Sequence, residues 1–593
     1  MKYLKNISLF KLSLLLLINL FFADELILFI TFLYLFITNK KEIIIFICLL
    51  SFCTIFNNYR YDFIPIGIVE EKYNNYVLVD KLLYKEYLYE DKEIGDIVYI
   101  KGNKIEEEKF LKYNYCFKSN KSKLIYNSKI RTLVSKQFNK FNEDTKAILR
   151  KILLNKYSDD VDVSYLGYGF AFYYLLLYFV KNNKKICLLL LIVYIILFGF
   201  DLKFYLIIIE LISNKHFKGL DKLSIKLISL LIINKYLLIN KGILLSLIFS
   251  YYYNSELNWD KSLILAIQSY FFYQTNILSI FIYKYFIMMR ISLFLISFIV
   301  FLFPQLSAIY LSFISLFSSI YSLFTLSIRG QIPEVLFALI YLIFYYFNFK
   351  VFLRVLVLTL LLLLPINTMT YHLSFIDVGQ GDASLITYNF KNILIDTGSK
   401  YNYHKLKNEL YRQGIYKIDY LIITHNDEDH NGNIVNLNKD FKIDKIIYDG
   451  EDIFLNNALL YYLNIDTFDN DNDNSLVYLF QYDDLKVLFP GDISKKVENL
   501  LIEKYSLNDI DIYHIAHHGS NTSTDEYFIG SINIKAAIIS TNGKYNHPHK
   551  ETIDTLDKYQ VEIFNTKEEG NIYLYRLFNK YVLKGKKKIM VFN

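Results

Sequence analysis

The chain has 593 residues, of which 54% are hydrophobic and 18% aromatic, and a net charge of +7 at neutral pH. That length excludes one ordinary domain, and that apolar share argues against a wholly soluble protein. The positive balance sits mostly in lysines at the ends of apolar runs, where it informs topology more than partner choice, and four cysteines, three of them in apolar runs, set out no disulfide framework.

In chain order, residues 1–58 hold three apolar runs, read as amino-terminal transmembrane helices because a bilayer core takes about 20 apolar residues per span. Lys2 and Lys5 precede the first run and Lys40-Lys41 follow the second, so the amino terminus is expected in the cytoplasm and the chain emerges near Asn57-Asn58. No Ala-x-Ala-like cleavage site follows Phe22, which sets the first run apart from a cleaved signal. Residues 59–123 alternate, as in Ile66-Gly67-Ile68-Val69, Tyr76-Val77-Leu78-Val79 and Ile97-Val98-Tyr99-Ile100. Short β runs between Gly and polar turns predict a small β-barrel, OB-like, a fold that often binds single strands; a plain β spacer is the competing reading. Residues 124–162 form a connector in which Ser128 to Asn155 reads as an amphipathic helix at the membrane surface, with Phe138, Phe141, Ala147 and Ile148 among charges.

Residues 163–366 return to long apolar runs broken by Lys/Asn-rich connectors, the pattern of a polytopic α-helical bundle with about eight or nine spans. Glu210, Lys235, Gln268, Gln274, Asn276 and Lys284 fall within it, either facing a bundle interior or a water-filled path, or belonging to loops. Lys350 and Arg354 place the start of the last run, Val351 to Ile366, inside. Everything after Asn367 is then extracytoplasmic, in the compartment of residues 59–123.

Residues 367–593 change pattern to short strands and turns. Leu373 to Val378 reads as a strand, Gly379-Gln380-Gly381-Asp382 as a tight turn, and Asn392 to Ile395 as a strand ending at Asp396-Thr397-Gly398. The apolar run Tyr420-Leu421-Ile422-Ile423 then delivers Thr424-His425-Asn426-Asp427-Glu428-Asp429-His430-Asn431-Gly432 where a strand meets a loop. His425 and Asp427, two apart, can converge on one ion, while Asp429 and His430 can hold a second or orient water. Oxygen and nitrogen ligands with open positions lower the pKa of bound water towards neutrality, so no protein nucleophile is needed. An acidic turn with incidental histidines is the bland alternative. Against it, further polar groups recur in order, most at the ends of β runs: Asn472-Asp473-Asn474-Ser475, Phe489-Pro490-Gly491-Asp492, His517-His518-Gly519-Ser520 and His547-Pro548-His549.

Residues Thr370 to Leu577 resemble a metallo-β-lactamase fold, an αββα sandwich. Phe375-Ile376-Asp377-Val378-Gly379-Gln380-Gly381-Asp382, the motif from His425 to His430, and His517-His518-Gly519-Ser520 resemble the ComEC family of competence DNA-internalisation channels. The resemblance implies a multi-domain membrane protein that imports transforming DNA as a single strand while the carboxyl-terminal domain, a metal-dependent nuclease, degrades the other strand. It implies single- and double-stranded DNA, membrane lipid, a DNA receptor and cytoplasmic motor proteins as partners, with homo-oligomers open. No Gly-x-x-x-x-Gly-Lys-Ser/Thr loop appears, so energy is expected from a partner or a gradient.

Carried onto this sequence, His425, Asp427, Asp429 and His430 match the metal motif, Asp396 the position that orients it, and Asp492 a carboxylate able to bridge two ions. One of His517 and His518, with His518 preferred, and His547 match the later histidines. Asp429, Asp396, Asp382 and Ser520 are the catalytic candidates; Ser520 or Asn472 would hydrogen-bond phosphate, or merely serve turns, and Asp382 shapes its own turn and accepts a hydrogen bond near the site. No histidine lies between His430 and Asp492, and Asp427 stands where the wider superfamily has histidine. That shifts the set towards oxygen, leaving Mn²⁺ and Zn²⁺ both open, at one or two ions per domain. In the membrane block, Ser164-Tyr165-Leu166-Gly167-Tyr168-Gly169-Phe170-Ala171 stands where the family has a His-Leu-Leu stretch and a Ser-Gly-Leu-His turn. The tail Lys584-Gly585-Lys586-Lys587-Lys588 either tracks phosphates or is a solvated terminus. A membrane-anchored hydrolase of another ester, and a channel whose metal domain only binds, remain the alternatives.

Overall fold

The computed structural model describes residues 372–592 with breaks at 464–466 and 578, and before them separate stretches, chiefly 8–22, 40–63, 122–154, 171–199, 203–213, 220–234 and 263–323, with short strands between 66 and 119 and the segment 327–331. The chain divides into two units, Met1–Asp260 with Phe281–Phe324, and Lys261–Ile280 with Thr325–Asn593.

In the first unit, the alternating segment forms β1 (Ile66–Lys72), β2 (Val77–Asp80), β3 (Lys85–Leu88), β4 (Asp96–Ile100), β5 (Cys116–Ser119) and β6 (Ser122–Asn127). A six-stranded mixed sheet, ordered β5-β3-β2-β1-β4-β6 with β3 and β5 parallel, stands in place of the expected OB-like barrel. The period of two puts Val69, Val77, Val79, Leu88, Val98 and Ile100 into one core. The connector forms two helices, Lys129–Phe138 and Glu143–Leu154, because Asn142 accepts from the Thr145 N–H at 3.0 Å and starts the second.

The expected polytopic bundle is corrected: among the described residues no helix is long and apolar enough to cross a membrane. Apolar runs that look continuous in sequence are divided into helices such as Leu9–Phe22, Lys184–Phe198, Lys203–Ser213, Leu220–Asn234 and Ser307–Leu323, of 14, 15, 11, 15 and 17 residues. Each falls short of the about 20 that a bilayer core requires. Hydropathy marks a run as apolar without marking where the backbone turns, as it does at Gly199 and at Pro304. Among the polar residues, Glu210 pairs with Lys226, the Gln268 side chain accepts from the Asn276 N–H at 3.0 Å, and Gln274 and Asn276 lie in a strand. Lys235, residues 164–170 and most of residues 351–366 lie outside the described residues.

In the second unit, β7 (Gln274–Asn276) pairs antiparallel with β8 (Ser327–Arg329). Arg329 fixes this ribbon: its guanidinium donates to the carbonyls of Ile415 and Asp440, each at 2.9 Å, and lies over the rings of Tyr411, Tyr416 and Phe441.

The rest of this unit is built on β9 (His372–Phe375), β10 (Ser384–Tyr388), β11 (Lys391–Ile395), β12 (Lys417–Ile422), β13 (Lys442–Ile447), β14 (Ile453–Leu455), β15 (Ala458–Tyr462), β16 (Tyr478–Tyr482), β17 (Leu485–Phe489), β18 (Ile512–His514), β19 (Ala536–Ile539), β20 (Glu562–Asn565), β21 (Ile572–Leu577), β22 (Lys580–Lys584) and β23 (Ile589–Phe592). Two sheets result, β13-β12-β11-β10-β9-β21-β22-β23 and β14-β15-β16-β17-β18-β19-β20. Their strands are apolar on both faces because both are covered. Ile386, Ile393, Ile395 and Ile422 meet Phe480, Val487, Phe489 and Ile512 between the sheets. Leu385, Leu394 and Leu421 face outward onto Leu406 and Leu410 of α1 (Tyr403–Arg412) and, beyond the short α2 (Glu428–Asn431), Leu437 of α3 (Ile434–Asp440). Leu488, Tyr513 and Ala537 meet Val497 and Leu501 of α4 (Lys495–Lys504), Phe528 and Ile532 of α5 (Glu526–Ile532), and Leu556 of α6 (Lys550–Lys558). The layers are helix, sheet, sheet, helix. The lysine-rich tail forms the β22–β23 turn, where the N–H groups of Lys587 and Lys588 donate to the Glu569 carboxylate at 2.6 and 3.0 Å.

Candidate metal centre

Parallel strands bring the polar motifs together. β11 and β12 run parallel, so Asp396 after one lies beside Thr424-His425 after the other. β17, β18 and β19 are likewise parallel, so Asp492, the His514–His518 segment and the loop to His547 follow strands that end at the same edge. Asp427 precedes α2, which presents His430. The turn before β10 comes close enough that a side chain at Gly381, where φ is +113°, would run into the carbonyl oxygen of Asp429. Only glycine fits there.

Asp492 lies at the middle of the cluster. Its carboxylate is 3.3 Å from His430 Nε2, 3.8 Å from His425 Nε2 and 3.7 Å from His518 Nε2. His518 faces Asp382 through Nδ1 and Asp429 through Nε2, both at 3.3 Å. Asp396 stands behind: it accepts from the Thr424 N–H at 2.8 Å and the Thr424 hydroxyl at 2.7 Å, and its Oδ2 is 2.9 Å from His430 Nδ1. With that carboxylate accepting from Nδ1–H, Nε2 is the nitrogen that His430 turns to Asp492, the one a metal would take in place of a proton.

Burial opposes charge on every one of these groups, and the neighbours decide the outcome. His430 is raised well above its ordinary value because Asp492 and Asp396 outweigh its burial. His518, despite burial, is pushed up to about 10 by Asp492, Asp382 and Asp429. Asp382, pulled against its burial by His514 and His518, falls to about 2. His425 is lowered by burial and by His430. The carboxylates thus demand positive charge, which protons on His430 and His518 supply.

Among the described residues, His425 Nε2, His430 Nε2, Asp492 Oδ1, both ring nitrogens of His518 and Asp382 Oδ1 are buried without a hydrogen-bond partner. Such orphaned donors and acceptors are costly unless something satisfies them. Ligand atoms within 4.8 Å of one another come from His425, His430 and Asp492, from Asp429, His430 and His518, and from Asp382, Asp492 and His518. Imidazole and carboxylate at that spacing fit a divalent metal ion.

Of the sequence candidates, His425, His430, Asp492, His518, Asp382, Asp396 and Asp429 are brought together. Asp427 lies at the rim, its half-exposed carboxylate 3.6 Å from His425 Nε2. His517 is also less buried, with Nε2 3.9 Å from Asp492. His547 stands one ring further out, 6.3 Å between centroids from His518, and burial and the neighbouring histidines lower it to about 4. Ser520 Oγ accepts from the Thr522 hydroxyl at 2.9 Å, within its own turn, and the Asn472 carbonyl accepts from Ser475 Oγ at 2.6 Å. His514 was absent from the sequence reading. It is buried at the end of β18, 2.8 Å from Ser540 Oγ and 3.6 Å from Asp382. Its signal in the sequence is a histidine inside the apolar stretch Ile512 to Ala516, four positions before His518.

Residues 376–471 match the family model described as the Metallo-beta-lactamase superfamily, whose fold implies binding of divalent metal. The chain is 30% identical over 240 residues to Recombination protein 2 of Haemophilus influenzae, an alignment covering 36% of this chain and 30% of that protein. It is 26% identical over 274 residues to ComE operon protein 3 of Bacillus subtilis, covering 38% and 35%. It is also 26% identical over 221 residues to Competence protein ComA of Neisseria gonorrhoeae, covering 33% and 30%. The resemblance to competence proteins read from the motifs is borne out by these relatives, each matched over about a third of its length.

Proposed function

We propose that the carboxyl-terminal domain is a metal-dependent phosphodiesterase acting in DNA uptake, and that it degrades the strand that is not imported. The observation that carries this reading is the convergence of buried, unpartnered His and Asp atoms at one sheet edge in a chain similar to competence proteins. His425, His430 and Asp492 would hold one divalent ion, and Asp429 and His518, through its Nε2, would take part in holding a second. When bound, the metal supplies polarisation of a phosphoryl oxygen and activation of water. Asp396 holds His430 in the tautomer that leaves Nε2 free to ligate, and Asp382, facing Nδ1 of His518, leaves that ring's Nε2 turned to Asp429 and Asp492. The buried floor of Asp492 and His518 keeps bulk water from the back of the site. In this reading the domain works on the extracytoplasmic side, where incoming DNA is met.

The test is nuclease activity of the full chain on single- and double-stranded DNA with Mn²⁺ or Zn²⁺, beside Asp492→Ala. Metal-dependent cleavage that falls at least about 100-fold in the variant supports the proposal. A folded protein that cleaves neither DNA with either metal refutes the nuclease and leaves another ester, or a binding role.

A further inference from the structure

Two short turns flank the mouth of the metal centre, Lys400–Asn402 and Lys544–Asn546. Both are tied to it. Ser399 Oγ and the Lys400 N–H donate to Glu428, in α2, at 3.2 and 3.1 Å. On the other side, Thr541 Oγ1 donates to Gln380 at 3.1 Å, and the Tyr545 ring lies 6.1 Å from that of His547. Asn402 in the first turn and Asn542, two residues before the second, both approach Gly379: a Cβ there would stand 2.7 Å and 3.7 Å from their Nδ2 atoms. The two turns are therefore two walls of one opening.

Each wall presents the same pair of groups. Tyr401 is 72% exposed and Tyr545 65%, so two large aromatic faces are left in solvent beside a polar site. Lys400 Nζ lies 5.1 Å from the centre of the Tyr401 ring, and Lys544 Nζ 4.5 Å from that of Tyr545. Tyr545 is held in the left-handed region, at φ +58°, which an aromatic residue adopts only at a cost in strain. Lys-Tyr-Asn also occurs at Lys72-Tyr73-Asn74 and Lys112-Tyr113-Asn114, so placement rather than the tripeptide carries the inference. Exposed rings with adjacent cations are the chemistry that receives unpaired bases and their phosphates.

We propose that Tyr401 and Tyr545, with Lys400 and Lys544, form a stacking cleft that admits single-stranded nucleic acid to the metal centre and excludes duplex. This rests on the phosphodiesterase reading and adds the form of its substrate: strand separation precedes cleavage. In a duplex, the base faces are already stacked on their neighbours and cannot engage either ring.

The experiment uses the full chain with three labelled probes of equal length, a single-stranded oligonucleotide, its duplex and an abasic phosphodiester oligomer, read by fluorescence anisotropy and by cleavage with Mn²⁺. The wild type is expected to prefer the single strand to both others. Tyr401→Ala and Tyr545→Ala should each weaken its binding by about 5- to 100-fold while leaving abasic cleavage within about twofold, and Tyr545→Phe, which keeps the ring, should restore binding. Lys400→Gln with Lys544→Gln should reduce the salt dependence of binding. Equal binding of single-stranded and abasic probes, or stronger binding of duplex, overturns the cleft even where cleavage is seen. Base-dependent binding lost in the Tyr→Ala variants, without cleavage of any probe by the wild type, leaves the cleft standing and refutes the nuclease.

Discussion

Asp396 shows how one residue governs the centre without facing it. Its backbone is left-handed, at φ +59°, a conformation that Asp tolerates better than most residues, and its carboxylate accepts from Thr424 and His430 at once. Asp396→Asn replaces one acceptor oxygen by a donor, so His430 Nδ1 must accept and its proton moves to Nε2, the atom meant for metal. The expected outcome is a 10- to 100-fold loss of Mn²⁺ or Zn²⁺ affinity, by competition with a chelating dye, with circular dichroism unchanged. Unaltered affinity would show that Asp396 has no orienting role. The resemblance carried by the motifs made Asp396 legible in the sequence. His514 was not, because its proximity to Asp382 exists only after the two sheets, one carrying β10 and the other β18, are packed on each other.

At the scale of an element, α1 is fixed by one buried carboxylate. Glu409, on the face turned to the first sheet, accepts from Arg412 Nε and Nη2 at 2.8 and 2.6 Å, Gln413 Nε2 at 2.7 Å, Asn571 Nδ2 at 2.7 Å and Tyr573 Oη at 3.2 Å. Burial alone would raise its pKa, but Arg412, Gln413 and Tyr573 outweigh it and hold the carboxyl below its ordinary value. A depressed carboxylate stabilises the fold fully above its unfolded value, about 4.3 for Glu, and that contribution is lost as pH falls through the lower folded value. Glu409→Gln is therefore expected to cost about 2–3 kcal/mol near pH 7 and to flatten the fall in melting temperature between about pH 5 and 3. An unchanged acid limb in the variant would assign that limb to other groups. The amphipathic spacing of Leu406 and Leu410 announces α1, whereas its tie to Asn571 and Tyr573 joins positions more than 160 apart and leaves no local trace.

At the scale of the whole molecule, the second unit buries polar groups that cohere only with added positive charge. Metal bound to the folded state alone stabilises it by about 2.7 kcal/mol at 100 times its dissociation constant. For a unit of this size that corresponds to about 5–10 °C in melting temperature. Chelation should therefore lower the melting of residues 372–592 by that amount, with faster hydrogen exchange in β12 and β17. No change in either would mean that protons on His430 and His518 suffice to balance the carboxylates. The order of the polar motifs at the ends of β runs is written in the sequence, and the resemblance those motifs carry implied the αββα layering. The tertiary structure alone shows that His518 rather than His517 faces Asp382 and Asp429 and that Asp427 stays at the rim, since these depend on how the two sheets pack on each other. It also decided the lengths of the apolar helices, because hydropathy records the character of a run and the turn that ends it is set by backbone and packing.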